Sequence, residues 1–132
     1  MNKRLTIQSE KGYENCVVHG VAYDDSVFEI TTDYVNINGF TVKDGGFAIA
    51  VKGGGIYLEA NYCNISNNNY SSNHGYGIYL YHSNNNSICD NNCFSNGNEG
   101  ISLVRSNNSS IYTKPHPFFG TFIYPFCMYN PV

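Results

Sequence analysis

The chain has 132 residues, a formal net charge of −3 and only 13% charged residues. That length suits one domain, and the mild charge excludes the basic stripe of a nucleic-acid or membrane-surface binder. Against an ordinary hydrophobic fraction of 42%, 20 asparagines and 13 glycines stand out, and between residues 30 and 112 no stretch carries the i, i+3, i+4 spacing of a helix.

The opening MNKRLTIQSE is basic but has no apolar run, so the chain as given shows no secretory signal, and no later segment is apolar enough to span a bilayer. Ile7 precedes Ile37 by slightly more than the later repeats would require and marks the start of a first, irregular coil. From VNINGFTV (35–42) onward the chain repeats itself. Ile37, Ile65, Ile88 and Ile111 share one column. Ile56, Ile78 and Ile101 share a second, and Leu58, Leu80 and Leu103 a third. The offset within these columns is constant to within a single position, except from Ile37 to Ile65, where a longer step places an insertion around FAIAVKGGG (47–55), a glycine run that can bulge cheaply. A fixed period of this length signals a stacked array.

Within each repeat, G-I-Y-L alternates as a strand does, with Ile78 and Leu80 on one face and Tyr79 and Tyr81 on the other. The next apolar points, Ile88 and Cys93, are separated by Asn, Ser and Asp, so one period, such as Ile65 to Ile88, accommodates three short strands and polar turns, with no room for a helix. The expected fold is all-β, a parallel β-solenoid of about 4–5 coils over residues 1–113. Val42, Tyr70 and Cys93 form a further inward column. Asn61, Asn84 and Asn107, and the pairs Asn68/Asn91, Asn69/Asn92 and Asn73/Asn96, read as hydrogen-bonded ladders between coils.

The runs VFEITTDYVNINGFTV and GIYLEANYCNISNNNYSSNHGYGIYLYHSNNNSICDNN resemble the right-handed parallel β-helix repeat proteins of archaeal and bacterial surfaces. These pectin-lyase-like folds include carbohydrate-binding and sugar-hydrolase domains and the NosD-type copper-accessory family. The resemblance covers about residues 5 to 112 and implies a right-handed, single-stranded β-helix with an extracellular or cell-surface location. It is specific for fold, because the shared residues are inward columns and turn ladders.

Residues 114–132 break the pattern. They hold all four prolines and six aromatics, and read as a C-terminal cap or a non-native tail on what is then a fragment of a longer solenoid. Uncapped coils would also permit end-to-end self-association.

Polysaccharide lyases and hydrolases need clustered carboxylates. Asp24 and Asp25 are adjacent and point apart if extended, while Asp33, Asp44 and Asp90 are scattered over different coils, so no catalytic residue is assigned. Asp90 shares a turn column with Gly39 and Asn67. His19, His74, His82, His116, Cys89 and Cys93 supply metal-ligand types, yet Cys-x-x-x-Cys on strands does not converge, so no metal or cofactor is expected. Five cysteines, an odd number, do not fix the redox compartment. Five Asn-x-Ser sequences, beginning at Asn64, Asn69, Asn85, Asn107 and Asn108, are explained by composition.

The candidate substrate-binding residues are Tyr57, Tyr79, Tyr81, His82, Glu59 and Arg105. In register they form an outward aromatic and ionisable stripe suited to the C–H faces and hydroxyls of sugars, with the tyrosines exposed. The chain thus reads as a β-helix scaffold segment of a surface or secreted protein that binds carbohydrate or serves as a stalk. The alternatives are a remnant of a polysaccharide lyase or hydrolase whose catalytic coils lie outside it, and a NosD-type accessory domain.

Overall fold

A computed structural model describes residues 3–21, 23–47 and 52–112. Among them there is no helix. Thirteen short strands run β1 (Leu5–Gln8), β2 (Val17–His19), β3 (Ser26–Ile30), β4 (Val35–Asn38), β5 (Thr41–Lys43), β6 (Gly54–Leu58), β7 (Asn64–Ser66), β8 (Asn69–Ser71), β9 (Tyr76–Tyr81), β10 (Ser87–Cys89), β11 (Asn92–Phe94), β12 (Ile101–Val104) and β13 (Ser110–Tyr112). Each strand pairs in parallel with the strand one coil away. Three sheets result, ordered β1-β4-β7-β10-β13, β11-β8-β5-β2 and β12-β9-β6-β3. Three strands complete a coil, so four coils are whole and β13 begins a fifth.

The register is that of the repeat. Ile37 lies beside Ile7 and Ile65, Ile88 beside Ile65 and Ile111, Ile78 beside Ile56 and Ile101, and Leu80 beside Leu58 and Leu103. These columns extend upstream to Phe28 and Ile30, which the repeat had not reached, and Val18 and Val42 lead into Tyr70 and Cys93. Ile37, Val42, Ile56, Leu58, Ile65, Tyr70, Ile78, Leu80 and Ile88 are sealed in the interior. Like residues recur because each coil is the packing surface for the next, and parallel in-register strands carry any mismatch to both neighbours.

The glycines opening the first two G-I-x-L segments, Gly55 and Gly77, are required by space. A Cβ on Gly55 would lie 2.7 Å from the Gly77 carbonyl oxygen and 2.7 Å from the Tyr70 ring, so any side chain there would force coils apart.

Asparagine plays two separate roles. Buried Asn68, Asn73, Asn86 and Asn91 point inward at the turns. Asn91 Oδ1 accepts from the Asn68 backbone N–H at 3.0 Å, and Asn91 Nδ2 donates to the Ile65 carbonyl at 2.7 Å. Asn68, Asn73 and Asn86 repeat this toward Phe40, Gly45 and Cys63. In the turn that also holds Asn86, a second row runs with reversed polarity. Asp33, Asn61 and Asn84 each accept from the backbone N–H of the residue above, Asn61, Asn84 and Asn107, at 2.7 to 2.8 Å. Serine joins the system, with Ser83 and Ser106 capping the N–H groups of Ala60 and Ser83. The left-handed turn positions fall on other residues: Gly39, Asn67 and Asp90 in one column, Asp44, Ser72 and Ser95 in another, and Tyr34, Tyr62, Asn85 and Asn108 in a third.

One ladder fails. Asn69 and Asn92 are strand neighbours, but no side-chain bond joins them and Asn69 Oδ1 is buried without a partner among the described residues. Their strand positions alternate outward, where neighbouring amides have no turn N–H to accept. The proposed tail at 114–132, and the domain boundary before it, lie outside the described residues.

Candidate functional site on the third sheet

The outer face of the third sheet carries the residues expected to form a stripe. Alternation along β6 and β9 turns Ile56, Leu58, Ile78 and Leu80 inward, which leaves Tyr57 and Tyr79 outward and in register. Their rings stack with centroids 5.9 Å apart and planes at 27°. Tyr76 stacks on Tyr79 at 4.7 Å, and Tyr81 lies 6.4 Å from it at 13°.

The expectation of exposed tyrosines is corrected here. Tyr57 is 2% exposed and Tyr79 3% exposed. The cause lies in the ladder itself, since rings lying flat along the stack cover one another's faces, and the Lys52 ammonium sits 5.1 Å over the Tyr57 ring. Tyr81 is half-buried, so it too falls short of full exposure. Burial pushes the Tyr79 hydroxyl up to about 12, with Tyr76 and Tyr81 adding to the shift. The Tyr57 hydroxyl is raised further, by burial first and then by the bond it donates to Glu59 Oε2 at 2.9 Å. Neither phenol serves as a base near neutral pH.

What remains accessible is the rim where β9 and β12 run into the next turn. Glu59, His82 and Arg105 are exposed. Arg105 Nη1 lies 3.4 Å from His82 Nε2, and the His82 ring meets Tyr81 edge-on at 4.3 Å. His82 and Arg105 both have left-handed backbone, φ 49 and 50, as turn positions elsewhere in the coils do. Of the six predicted residues, therefore, Tyr81, His82 and Arg105 are brought together at one rim. Glu59 is tied to Tyr57, and the two platform tyrosines belong to the packing.

Asp33, Asp44 and Asp90 have local structural roles. Asp33 heads the asparagine ladder, Asp44 Oδ2 lies 2.6 Å from His19 Nδ1, and Asp90 occupies the left-handed turn column expected for it. Among the described residues, no group of three or more His, Cys, Asp or Glu side chains is placed to hold a metal ion, and no helix is long and apolar enough to cross a membrane. The described cysteines, Cys16, Cys63, Cys89 and Cys93, are free thiols.

Sequence reasoning missed a second aromatic row. Tyr23, Phe47 and His74 come from the turns that join the second sheet to the third. Their centroids are 5.0 Å apart at each step. The signal was hidden because turns of unequal length destroy the constant offset.

Parallel strands in three sheets, stacked coil on coil with inward columns and turn ladders, define a β-solenoid. The sequence matches the family model for the right-handed beta helix region over residues 5–114, and the chain belongs to that family. No curated protein and no solved structure matches it.

Proposed function

We propose that the chain is a non-catalytic scaffold segment of a surface or secreted protein that binds carbohydrate at the rim of the third sheet. The observation that carries this reading is the exposed Arg105–His82 pair beside Tyr81. A guanidinium fork presents several donors in one plane and suits a carboxylate or vicinal hydroxyls, while the flanking phenol offers an apolar edge to a sugar ring. Rigid backing comes from the stacked tyrosines, which hold the rim without ordering costs on binding. The surface setting rests on the resemblance to surface β-helix proteins.

A glycan array run in parallel with a product assay tests the reading. Binding of acidic oligosaccharides without release of reducing ends or unsaturated products is the expected outcome. An empty array with folded protein removes the binding role, and released product returns the chain to the polysaccharide-degrading class.

A further inference from the structure

The turns that join the third sheet to the first stack coil on coil, as residues 59–63, 82–86 and 105–109, and the strands that follow them pair in register. In the middle turn Ser83 and Asn86 are buried, while His82 and Asn85 are exposed. His82 and Asn85 therefore share one outer wall, at most roughly 10 Å apart along three residues of chain. The His82–Arg105 rim is one edge of that wall. Its other edge is the left-handed column Tyr34, Tyr62, Asn85 and Asn108. Residues 31–38, 59–66 and 82–89, which surround Tyr62, all fall among the described ones.

The lower half of this column is strained. A bulky side chain at positive φ is an outlier, yet tyrosine stands at φ 64 and 56 where the later coils use asparagine, which tolerates the left-handed region. Packing does not account for the rings. Tyr34 and Tyr62 stack at 5.2 Å with planes at 9°, so each covers one face of the other, and Tyr62 is still 51% exposed, whereas the stacked Tyr57 and Tyr79 are buried. On the far side of Tyr62 comes Asn85, at φ 57. Tyr62 N–H donates to the Asn84 carbonyl at 3.3 Å, and Asn84 N–H to Asn61 Oδ1 at 2.8 Å, which fixes the two turns one above the other. Matching φ and register point the Cβ atoms of Tyr62 and Asn85 the same way, one coil or ~4.8 Å apart. An amide is too short to cover a phenol ring, so the outer part of the Tyr62 face stays open. Such a face fits the C–H side of a pyranose, and an amide offers its hydroxyls both a donor and an acceptor. None of the four residues in the column is charged, which suits a neutral sugar unit.

We propose that the rim site continues across this turn and takes an oligosaccharide, in which an acidic unit at Arg105 and His82 adjoins a neutral pyranose stacked on Tyr62 and hydrogen-bonded to Asn85. The inference rests on carbohydrate recognition at the rim and adds to it the length and composition of the ligand.

The test is chemical-shift titration by NMR of the full chain with free glucuronic acid and with a tetrasaccharide that alternates glucuronic acid and glucose. The tetrasaccharide is expected to bind at least about tenfold more tightly than the monosaccharide. Tyr62→Asn gives this position the residue type of positions 85 and 108 and suits the left-handed turn. It should weaken the tetrasaccharide by roughly tenfold and leave the monosaccharide unchanged, while Tyr62→Phe retains both. Asn85→Gly removes the amide without straining the backbone and should act in the same direction as Tyr62→Asn. Arg105→Asn should weaken both ligands, and Phe94→Ala, which deletes a ring on the second sheet that is also 51% exposed, should change neither. Circular dichroism confirms that each variant is folded. Equal affinity for the two ligands, or wild-type affinity for the tetrasaccharide in Tyr62→Asn, would overturn the extension and leave the rim site standing. No binding by the wild type, or no effect of Arg105→Asn on either ligand, would overturn the rim site and the extension with it.

Discussion

The Tyr57 and Tyr79 rings, one repeat apart in sequence, stack 5.9 Å apart on the outside of the third sheet, and both are nearly inaccessible to solvent. An outward side chain has thereby become part of the packing. Tyr79→Ala is accordingly expected to destabilise the fold by about 3 kcal/mol, the scale of deleting a buried aromatic, against about 0.5 kcal/mol for an exposed surface change. Denaturant unfolding measures this directly. A loss within the surface range would show that the ring carries no packing.

Stability should also fall at high pH because of the same row. The folded state holds the Tyr79 hydroxyl at about 12, above the ~10 of an unfolded tyrosine, and Tyr57 is shifted in the same direction. The folded chain therefore keeps protons that the unfolded chain releases. This contribution is fully present below about pH 10 and is lost as pH rises through about 12. Tyrosinate absorbance should rise together with loss of the β circular-dichroism signal in that window, and Tyr79→Phe should move the transition to higher pH. Tyrosinate formation well before any unfolding would contradict it.

The inward ladder gives the sharpest stability contrast. Asn91 bridges two coils, accepting from the Asn68 N–H at 3.0 Å and from Asn68 Nδ2 at 3.1 Å and donating to Ile65, whereas Asn92 beside it is exposed. Asn91→Ala strands the buried Asn68 N–H and the Ile65 carbonyl of the neighbouring turn and should cost roughly 2 to 4 kcal/mol, while Asn92→Ala should stay within about 0.5 kcal/mol. Equal thermal shifts for the two would remove the ladder as a source of stability.

A buried hydroxyl works against the fold. The Tyr70 hydroxyl is fully buried with no hydrogen-bond partner among the described residues, and burial raises it well above the ordinary tyrosine range. Tyr70→Phe keeps the ring volume beside Gly55 and removes the orphan, so it should be neutral or stabilising by about 1 kcal/mol. A destabilised variant would mean that the hydroxyl is satisfied in solution.

The columns could be read from sequence because parallel in-register strands force the same residue type into the same place: Ile37 over Ile65 over Ile88 is visible as an offset before it is visible as a contact. Strand alternation also told correctly that Tyr57 and Tyr79 face outward. It could not tell that they shield each other, because facing is a property of one strand and burial a property of the row. Asp33 occupies the ladder column below Asn61 and escaped notice as an aspartate among asparagines. In the first coil, β2 was not predicted because residues 9–16 break the period before Val17. The Tyr23–Phe47–His74 row was invisible for the same reason, its offsets being set by turn lengths.

The proposed binding role is tested most directly at Arg105, whose left-handed backbone suits asparagine, so that Arg105→Asn removes the guanidinium without straining the turn. Titration of an oligogalacturonate into the folded wild type and this variant should show saturable binding that Arg105→Asn weakens about tenfold or more, with the unfolding transition unchanged. Identical affinity in the two proteins, or no binding to the wild type, would contradict carbohydrate recognition at the rim of the third sheet.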